Sequence, residues 1–181
     1  MALTLLLGGA RSGKSRLAEG LTRPGSGMVT LIATAEGRDE EMQDRILQHQ
    51  RSRPDHWRVV EEPIDLEAAL EGVHPDSLVI VDCLTLWVSN LIELGLDDTE
   101  IQGRARRAAV LAAARRPTTV VVSNEVGSGI VPSNELARRY RDLLGRVNAL
   151  WADAADRVLL AVAGGVVPVM PARALWEAAD D

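Results

Sequence analysis

The sequence predicts an α/β fold: a mostly parallel, doubly wound sheet of about seven strands, with one antiparallel strand at the C-terminal end. Three observations predict it. Short apolar, β-rich runs alternate with stretches of helical spacing, the order that builds parallel sheets with helices on both faces. The runs at 28–34 and 77–83 are apolar at most positions, as strands covered on both faces are. The first run, Leu3 to Leu7, leads straight into Gly8-x-x-x-x-Gly13-Lys14-Ser15, a complete P-loop pattern set between a strand and a helix.

The residue types of that loop are dictated by what it holds. Gly8 and Gly13 permit backbone conformations that aim successive N–H groups at phosphate oxygens. The whole segment Gly8, Gly9, Ala10, Arg11, Ser12, Gly13, Lys14 and Ser15 is therefore a candidate nucleotide-binding stretch. Lys14 supplies positive charge to the β/γ-phosphates, and the Ser15 hydroxyl is a candidate Mg²⁺ ligand. A helix over Lys14 to Leu21 points its N-terminal N–H groups at the same phosphates.

Composition narrows the remaining classes. At 181 residues the chain reads as one domain, long enough to enclose a full core. The net charge of −6 leaves no basic footprint, so nucleic acid is not an expected partner. The single cysteine, Cys83, excludes an internal disulfide and suits a reducing compartment. No run reaches membrane-spanning length, and the N-terminal apolar run is too short for a signal peptide. The expectation is a soluble cytoplasmic protein.

The later elements follow in order. The cluster Arg23 to Gly27 breaks the first helix. Met28 to Thr34 is the second strand, and it ends in Ala33, Thr34 and Ala35, at the end of a parallel strand where ligand crevices form. Arg38 to about Ser52 reads as a helix with Asp39, Glu40 and Glu41 in its first turn, where the dipole favours acids. Met42, Ile46 and His49 share one face of it, directed at the body of the protein. A short strand over His56 to Glu61 and a helix over Asp65 to Glu71, capped by Asp65, come next. Ser77 to Cys83 is the clearest strand. It ends in Asp82, where P-loop proteins place an acid that helps hold Mg²⁺; turn formation is the other reason for an Asp there. Cys83 reads as a small buried residue rather than a nucleophile.

Helices over Thr85 to Leu94 and Thr99 to Arg115 precede a strand over Thr118 to Ser123. That strand opens into the loop Asn124 to Pro132, at a carboxyl end where α/β proteins carry substrate contacts. Glu125 in this loop is either a metal or substrate ligand or a solvated acid. A long helix, Ser133 to about Ala155 with Ser133 as cap, repeats Leu136, Tyr140, Leu143, Val147, Leu150 and Ala154 on one stripe. The stripe suits packing on the sheet, with a subunit contact as the alternative. Arg138, Arg139, Arg141 and Arg146 lie off it, mostly in solvent. Arg157 to Ala163, Gly164-Gly165 and Val166 to Met170 form a hairpin that adds the antiparallel strand, and the last residues read as a frayed tail.

From the residues alone, a P-loop admits a small-molecule kinase, another phosphoryl or nucleotidyl transferase, or a nucleotide-dependent switch. His49 is either a structural imidazole on an inward helix face or a nucleophile that forms a phosphoramidate. His56 and His74 have less to recommend them. The combination of motifs resembles the bifunctional adenosylcobinamide kinase / adenosylcobinamide-phosphate guanylyltransferase family of cobalamin biosynthesis. The matching pieces are Gly8-Gly-Ala-Arg-Ser-Gly-Lys-Ser15, Ile32-Ala-Thr-Ala35, Glu41-Met42 with Arg45-Ile46 and His49, Arg53-Pro54 with Trp57-Arg58, Val81-Asp-Cys-Leu-Thr85 with Asn90-Leu91, Ser123 to Pro132, and Gly145-Arg-Val-Asn148. They follow the family's order over nearly the whole chain. The His-bearing helix with the Asn-Glu-Val-Gly loop is more specific than the P-loop.

The resemblance implies a P-loop NTPase-type, RecA-like fold and two reactions. The γ-phosphate of ATP or GTP passes to adenosylcobinamide. GMP then passes from GTP to adenosylcobinamide phosphate through a covalent GMP-histidine, and the matching position is His49. It further implies Mg²⁺ at Ser15 and Asp82, catalytic roles for His49 and Lys14, and GTP contacts at Ala33 to Ala35, at Gln50, Arg51, Ser52 and Arg53, at Glu61 and at Asp82. Two departures from the family pattern are Ala35, where a hydroxyl residue is usual, and Gln50, where a basic residue is frequent. A homotrimer with the corrinoid between subunits is the implied assembly.

Overall fold

Alternation along each strand divides the sheet into two faces. The computed structural model describes residues 2–22, 27–37, 40, 43–44, 54 and 56–171. In β1 (Leu3–Gly8), Leu3 and Leu5 enter one core and Leu6 the other. β2 (Val29–Ala33) sends Ile32 to the first and Val29 and Leu31 to the second. β4 (Leu78–Asp82) divides in the same way, with Val79 and Val81 opposite Leu78 and Ile80. With β3 (Arg58–Glu61), β5 (Thr119–Val122), β6 (Arg157–Val162) and β7 (Gly165–Val169) they form one seven-stranded sheet, ordered β3-β2-β4-β5-β1-β6-β7. Every pairing is parallel except β6 with β7, where the chain reverses through Ala163 and Gly164, both at positive φ, one residue earlier than the Gly164-Gly165 pair expected from the sequence. The predicted strand count and its one antiparallel addition are both present.

Among the described residues, α1 (Lys14–Leu21) lies on the second face, where Ala18 packs with Leu6, Leu31 and Ile80. The opposite face carries α2 (Leu66–Glu71), α3 (Leu84–Glu93), α4 (Asp98–Ala114) and α5 (Glu135–Ala154). Their apolar sides meet around Trp87 and Trp151, both fully enclosed. Each start has a local cause. The Asp65 carboxylate accepts from Ala68 N–H at the head of α2, as expected. α4 begins at Asp98 rather than Thr99 because Asp97 and Glu100 form a reciprocal capping box.

Three details of α5 differ from the sequence reading. Its cap is Asn134, whose side chain accepts from Ala137 N–H, so the helix starts after Ser133 has been passed. Leu136 is 58% exposed, because the first turn continues the exposed loop before it; the buried side runs through Leu143, Leu144, Val147, Asn148 and Trp151. Leu150 and Ala154 flank it. Arg139 is half-buried and paired. It bonds Asp98 at 2.8 Å and the Leu96 carbonyl at 2.8 Å, fixing α5 against the start of α4. The helix expected over 38–52 is represented by helical Glu40, Gln43 and Asp44; its other residues, Pro54's neighbours 53 and 55, and the tail from 172 lie outside the described residues.

Candidate active site

Register brings the described strand-end residues of the predicted site together. Ala33 pairs with both Glu61 and Asp82, so the carboxyl ends of β3, β2 and β4 stand in one row. Asp82 pairs with Val122, and Val122 with Leu6, two residues before the P-loop. The loop therefore rises from β1 with only β5 between it and the strand carrying Asp82. Ser15 and Asp82, 67 residues apart in the chain, converge at one end of the sheet.

Within the P-loop, Gly8 is required by space. A Cβ there would meet the Ala161 carbonyl at 2.5 Å and Ser12 Oγ at 2.7 Å. Ser12 can rotate away, but the β6 backbone cannot. Gly8→Ala should therefore cost roughly 1–3 kcal/mol, the usual range for overpacking. A denaturation midpoint unchanged from the parent would show that the loop yields instead. Gly13 has φ 94°, which a residue with a Cβ adopts rarely, and Arg11 holds a left-handed φ of 57° despite its side chain. Gly13 offers no side chain to cap α1, so the helix's first N–H groups remain directed at the loop's concavity. Gly9, Ala10, Arg11 and Gly13 are exposed there.

Lys14 is 8% exposed, and its ammonium donates to Gly9 O at 2.6 Å, so the side chain arches over its own loop. Burial pulls its pKa below the ordinary value, opposed by the nearby Cys83 and Asp82. Ser15 Oγ lies 3.4 Å from Asp82 Oδ2. A hydroxyl and a carboxylate converging beside a phosphate-binding loop are hard oxygen donors of the kind Mg²⁺ takes, so these residues fit that ion. Ser15 and Asp82 also line a small cleft with Ala18, Glu19, Leu31, Trp57 and Ile80.

The remaining predicted residues are distributed as follows. Ala33 is buried, and Ala35 is half-buried at the mouth of the row. Thr34 is fully enclosed, with its hydroxyl engaged by Cys83. Glu61 is exposed at the end of β3, whereas the neighbouring Glu62 accepts from Ile64 and Asp65 N–H and so shapes the turn into α2. That separates the two adjacent acids by task. Burial, helped by Asp82, pushes the Cys83 thiol up to about 12, so it carries almost no thiolate at neutral pH and is inert. Glu125 N–H donates to Gly8 O at 3.0 Å, rooting the 124–132 loop on the P-loop, and its carboxylate accepts from Gly127 N–H. His56 is exposed, and His74 Nδ1 accepts from Asp76 N–H in a turn. His49, Gln50, Arg51, Ser52 and Arg53 lie outside the described residues.

Asn90 belongs to one of the family-matching pieces, but the sequence alone assigns it no chemical role. It sits on α3 beside Leu84, Trp87, Val88 and Leu91 and is 4% exposed. A lone amide on such an apolar helix is itself the signal, because a buried polar side chain is kept where it has partners.

A parallel sheet that opens with a P-loop, interposes one strand before the acid-bearing strand and brings Lys14, Ser15 and Asp82 together defines a P-loop nucleotide-binding protein of the RecA-like type. A protein from Pyrococcus horikoshii OT3 shares the fold over 92% of this chain and 85% of its own, with a TM-score of 0.54 at 9% identity. The chain belongs to the cobinamide kinase / cobinamide phosphate guanyltransferase family, whose pattern matches residues 4–169. It is 44% identical over 167 residues to the bifunctional adenosylcobalamin biosynthesis protein CobP of Pseudomonas aeruginosa, spanning 91% of this chain and 95% of that protein. It is 42% identical over 175 residues to the bifunctional adenosylcobalamin biosynthesis protein CobU of Escherichia coli K12, spanning 90% and 96%.

Proposed function

We propose that this chain performs both reactions of its family at the carboxyl end of its sheet. In the first, the hydroxyl of adenosylcobinamide attacks the γ-phosphorus of ATP or GTP. A new P–O bond forms, the bond to the nucleoside diphosphate breaks, and the hydroxyl proton is released. In the second, a neutral His49 nitrogen attacks the α-phosphorus of GTP and pyrophosphate leaves. The phosphate of adenosylcobinamide phosphate then attacks that phosphorus, the P–N bond breaks, and adenosylcobinamide-GDP is released. The observation that carries this reading is the meeting of Lys14, Ser15 and Asp82 in a chain matched by the family along residues 4–169.

The N–H groups of Gly8 to Ser15 and the Lys14 ammonium hold the triphosphate, and Lys14 offsets charge on the leaving pyrophosphate. Ser15 and Asp82 would hold Mg²⁺, which supplies further charge neutralisation at the phosphates. Ala33 to Ala35, Gln50, Arg51, Ser52, Arg53, Glu61 and Asp82 are the remaining GTP contacts in this reading. Thr34 has its hydroxyl, N–H and carbonyl all bonded within the protein, so in this stretch a direct contact falls to the half-buried Ala35.

No described helix is long and apolar enough to cross a membrane, and we place the enzyme in the cytoplasm. We also read it as a homotrimer. The edge strand β7 exposes Val166, Val167 and Val169, with Met170 beyond it, a surface that soluble monomers usually protect. The test is to incubate the protein with adenosylcobinamide, GTP, ATP and Mg²⁺ and resolve the corrinoids by mass. Successive appearance of the phosphate and of the GDP-linked product is expected. Unmodified corrinoid from folded, nucleotide-binding protein would return the chain to a kinase of another small metabolite, and a one-chain mass by light scattering would remove the trimer.

A further inference from the structure

The ends of β2, β3 and β4 are joined by more than their sheet ladder. Thr34 lies just past β2 with no exposed surface. Its hydroxyl donates to Cys83 O at 2.7 Å and accepts from Cys83 N–H at 2.8 Å. Its own N–H donates to Asp82 O at 3.0 Å. The peptide group that follows Asp82 is thus held at both its polar atoms by one residue, and the next carbonyl is held as well. Asn90 extends the network from above: its Nδ2 donates to Thr34 O at 2.9 Å and to Pro63 O at 3.1 Å. Glu62 N–H donates to Ala33 O at 2.9 Å, and Trp87 Nε1 donates to Ile64 O at 2.9 Å.

This connectivity has a direction. The direction of a carboxylate at a strand end depends on the backbone around it, and the β4 ladder ends at Asp82. Thr34 fixes the peptide immediately after the carboxylate. Asn90 in turn fixes Thr34 and ties it to the segment that follows Glu61. The Thr34 hydroxyl and the Asn90 amide nitrogen are thus engaged within this network rather than at the P-loop. Groups that orient a metal-binding carboxylate without touching the ligand commonly set its affinity by 10- to 100-fold.

We propose that Thr34 and Asn90 are positioning residues for the Mg²⁺–nucleotide site, fixing the direction in which the Asp82 carboxylate leaves β4 toward Ser15. The proposal rests on the reading that Ser15 and Asp82 hold Mg²⁺. It assigns the Thr34 hydroxyl to this role in place of a contact with the nucleotide, and it gives α3 a part in the site through Asn90.

The test is equilibrium binding of a fluorescent GTP analogue to the full chain, titrated with Mg²⁺ and repeated in excess chelator. The variants are Thr34→Val, Thr34→Ser, Asn90→Ala and Asp82→Asn, with Val147→Ala as a core variant outside this hydrogen-bond network. Thr34→Val and Asn90→Ala are expected to raise the Mg²⁺ concentration at half-saturation by roughly 10-fold or more. Binding in chelator should change far less. Thr34→Ser, which keeps the hydroxyl, should recover most of the shift. Val147→Ala should lower the melting temperature without moving the Mg²⁺ midpoint. If Asp82→Asn shifts the midpoint and neither Thr34→Val nor Asn90→Ala does, the positioning role is wrong. If Asp82→Asn itself leaves the midpoint in place, the metal reading fails and takes this proposal with it. An equal shift in Val147→Ala would make the effect one of general stability and overturn the proposal. Should Thr34→Val not fold, the Asn90→Ala and Thr34→Ser pair decides on its own.

Discussion

His49→Ala is expected to abolish guanylyl transfer while phosphorylation of adenosylcobinamide continues. The argument is chemical. Transfer through a phosphoramidate needs an unprotonated ring nitrogen as nucleophile, and alanine offers nothing that can take its place. Removing a covalent nucleophile commonly costs on the order of 10⁴-fold or more in turnover. The kinase step moves a phosphoryl group directly to the acceptor hydroxyl and has no use for His49. Intact mass spectrometry after incubation with GTP and Mg²⁺ reads the intermediate directly. The parent should gain one guanylyl group that is lost in mild acid, and the variant should gain none. An adduct retained by His49→Ala would place the nucleophile elsewhere. A folded, GTP-binding parent with no adduct would argue for direct transfer or for a kinase alone.

Lys14→Ala is expected to remove both activities, by roughly 10²- to 10³-fold each, the usual cost of losing one preorganised charge at a developing anion. Its position supports the size of the effect. The side chain is buried over the P-loop, bonded to Gly9 O at 2.6 Å, in a setting where water screens its charge poorly. A triphosphate offers the same ammonium charged oxygen acceptors, which bond more strongly than a neutral carbonyl. The contrast with His49→Ala is diagnostic: one change stops a single reaction, the other stops both. Separate assays of corrinoid phosphorylation and GMP adduct formation make the comparison, and a kinase rate left intact in Lys14→Ala would overturn the shared-site reading. A pH dependence follows with a definite sign. Burial lowers the Lys14 pKa in the free protein, and bound triphosphate raises it. Binding then takes up a proton at alkaline pH, so GTP affinity should fall as pH rises above the lowered value. The slope should vanish in Lys14→Ala.

Much of this site is legible in the chain because its parts are local. The Gly8-to-Ser15 pattern, with a strand before and a helix after, needs no partner to declare a phosphate cradle. Asp82 is readable for a related reason, since an apolar run ending in an acid marks a strand end. The sheet's alternation and the antiparallel hairpin at 157–169 are likewise written in short-range periodicity. Where the reading slips, the competing cause is tertiary or one residue wide. Asn134 outcompetes Ser133 because both can cap and only the path of the preceding loop selects between them. Leu136 carries the right periodicity but stands on a turn that leaves the core.

The sequence by itself determines the fold class, the phosphate-binding loop, the family and the residue types that the chemistry requires, since each depends on neighbours in the chain. The tertiary structure decides which residues meet. It aligns Glu61, Ala33 and Asp82 in one row, brings Ser15 within 3.4 Å of Asp82, and turns Thr34 away from solvent onto Cys83. It also recruits Asn90 from a helix whose pattern declares only a core contact. These pairings depend on strand order and register. No stretch of sequence encodes them locally, because the partners are brought together only when the whole sheet closes around its two cores.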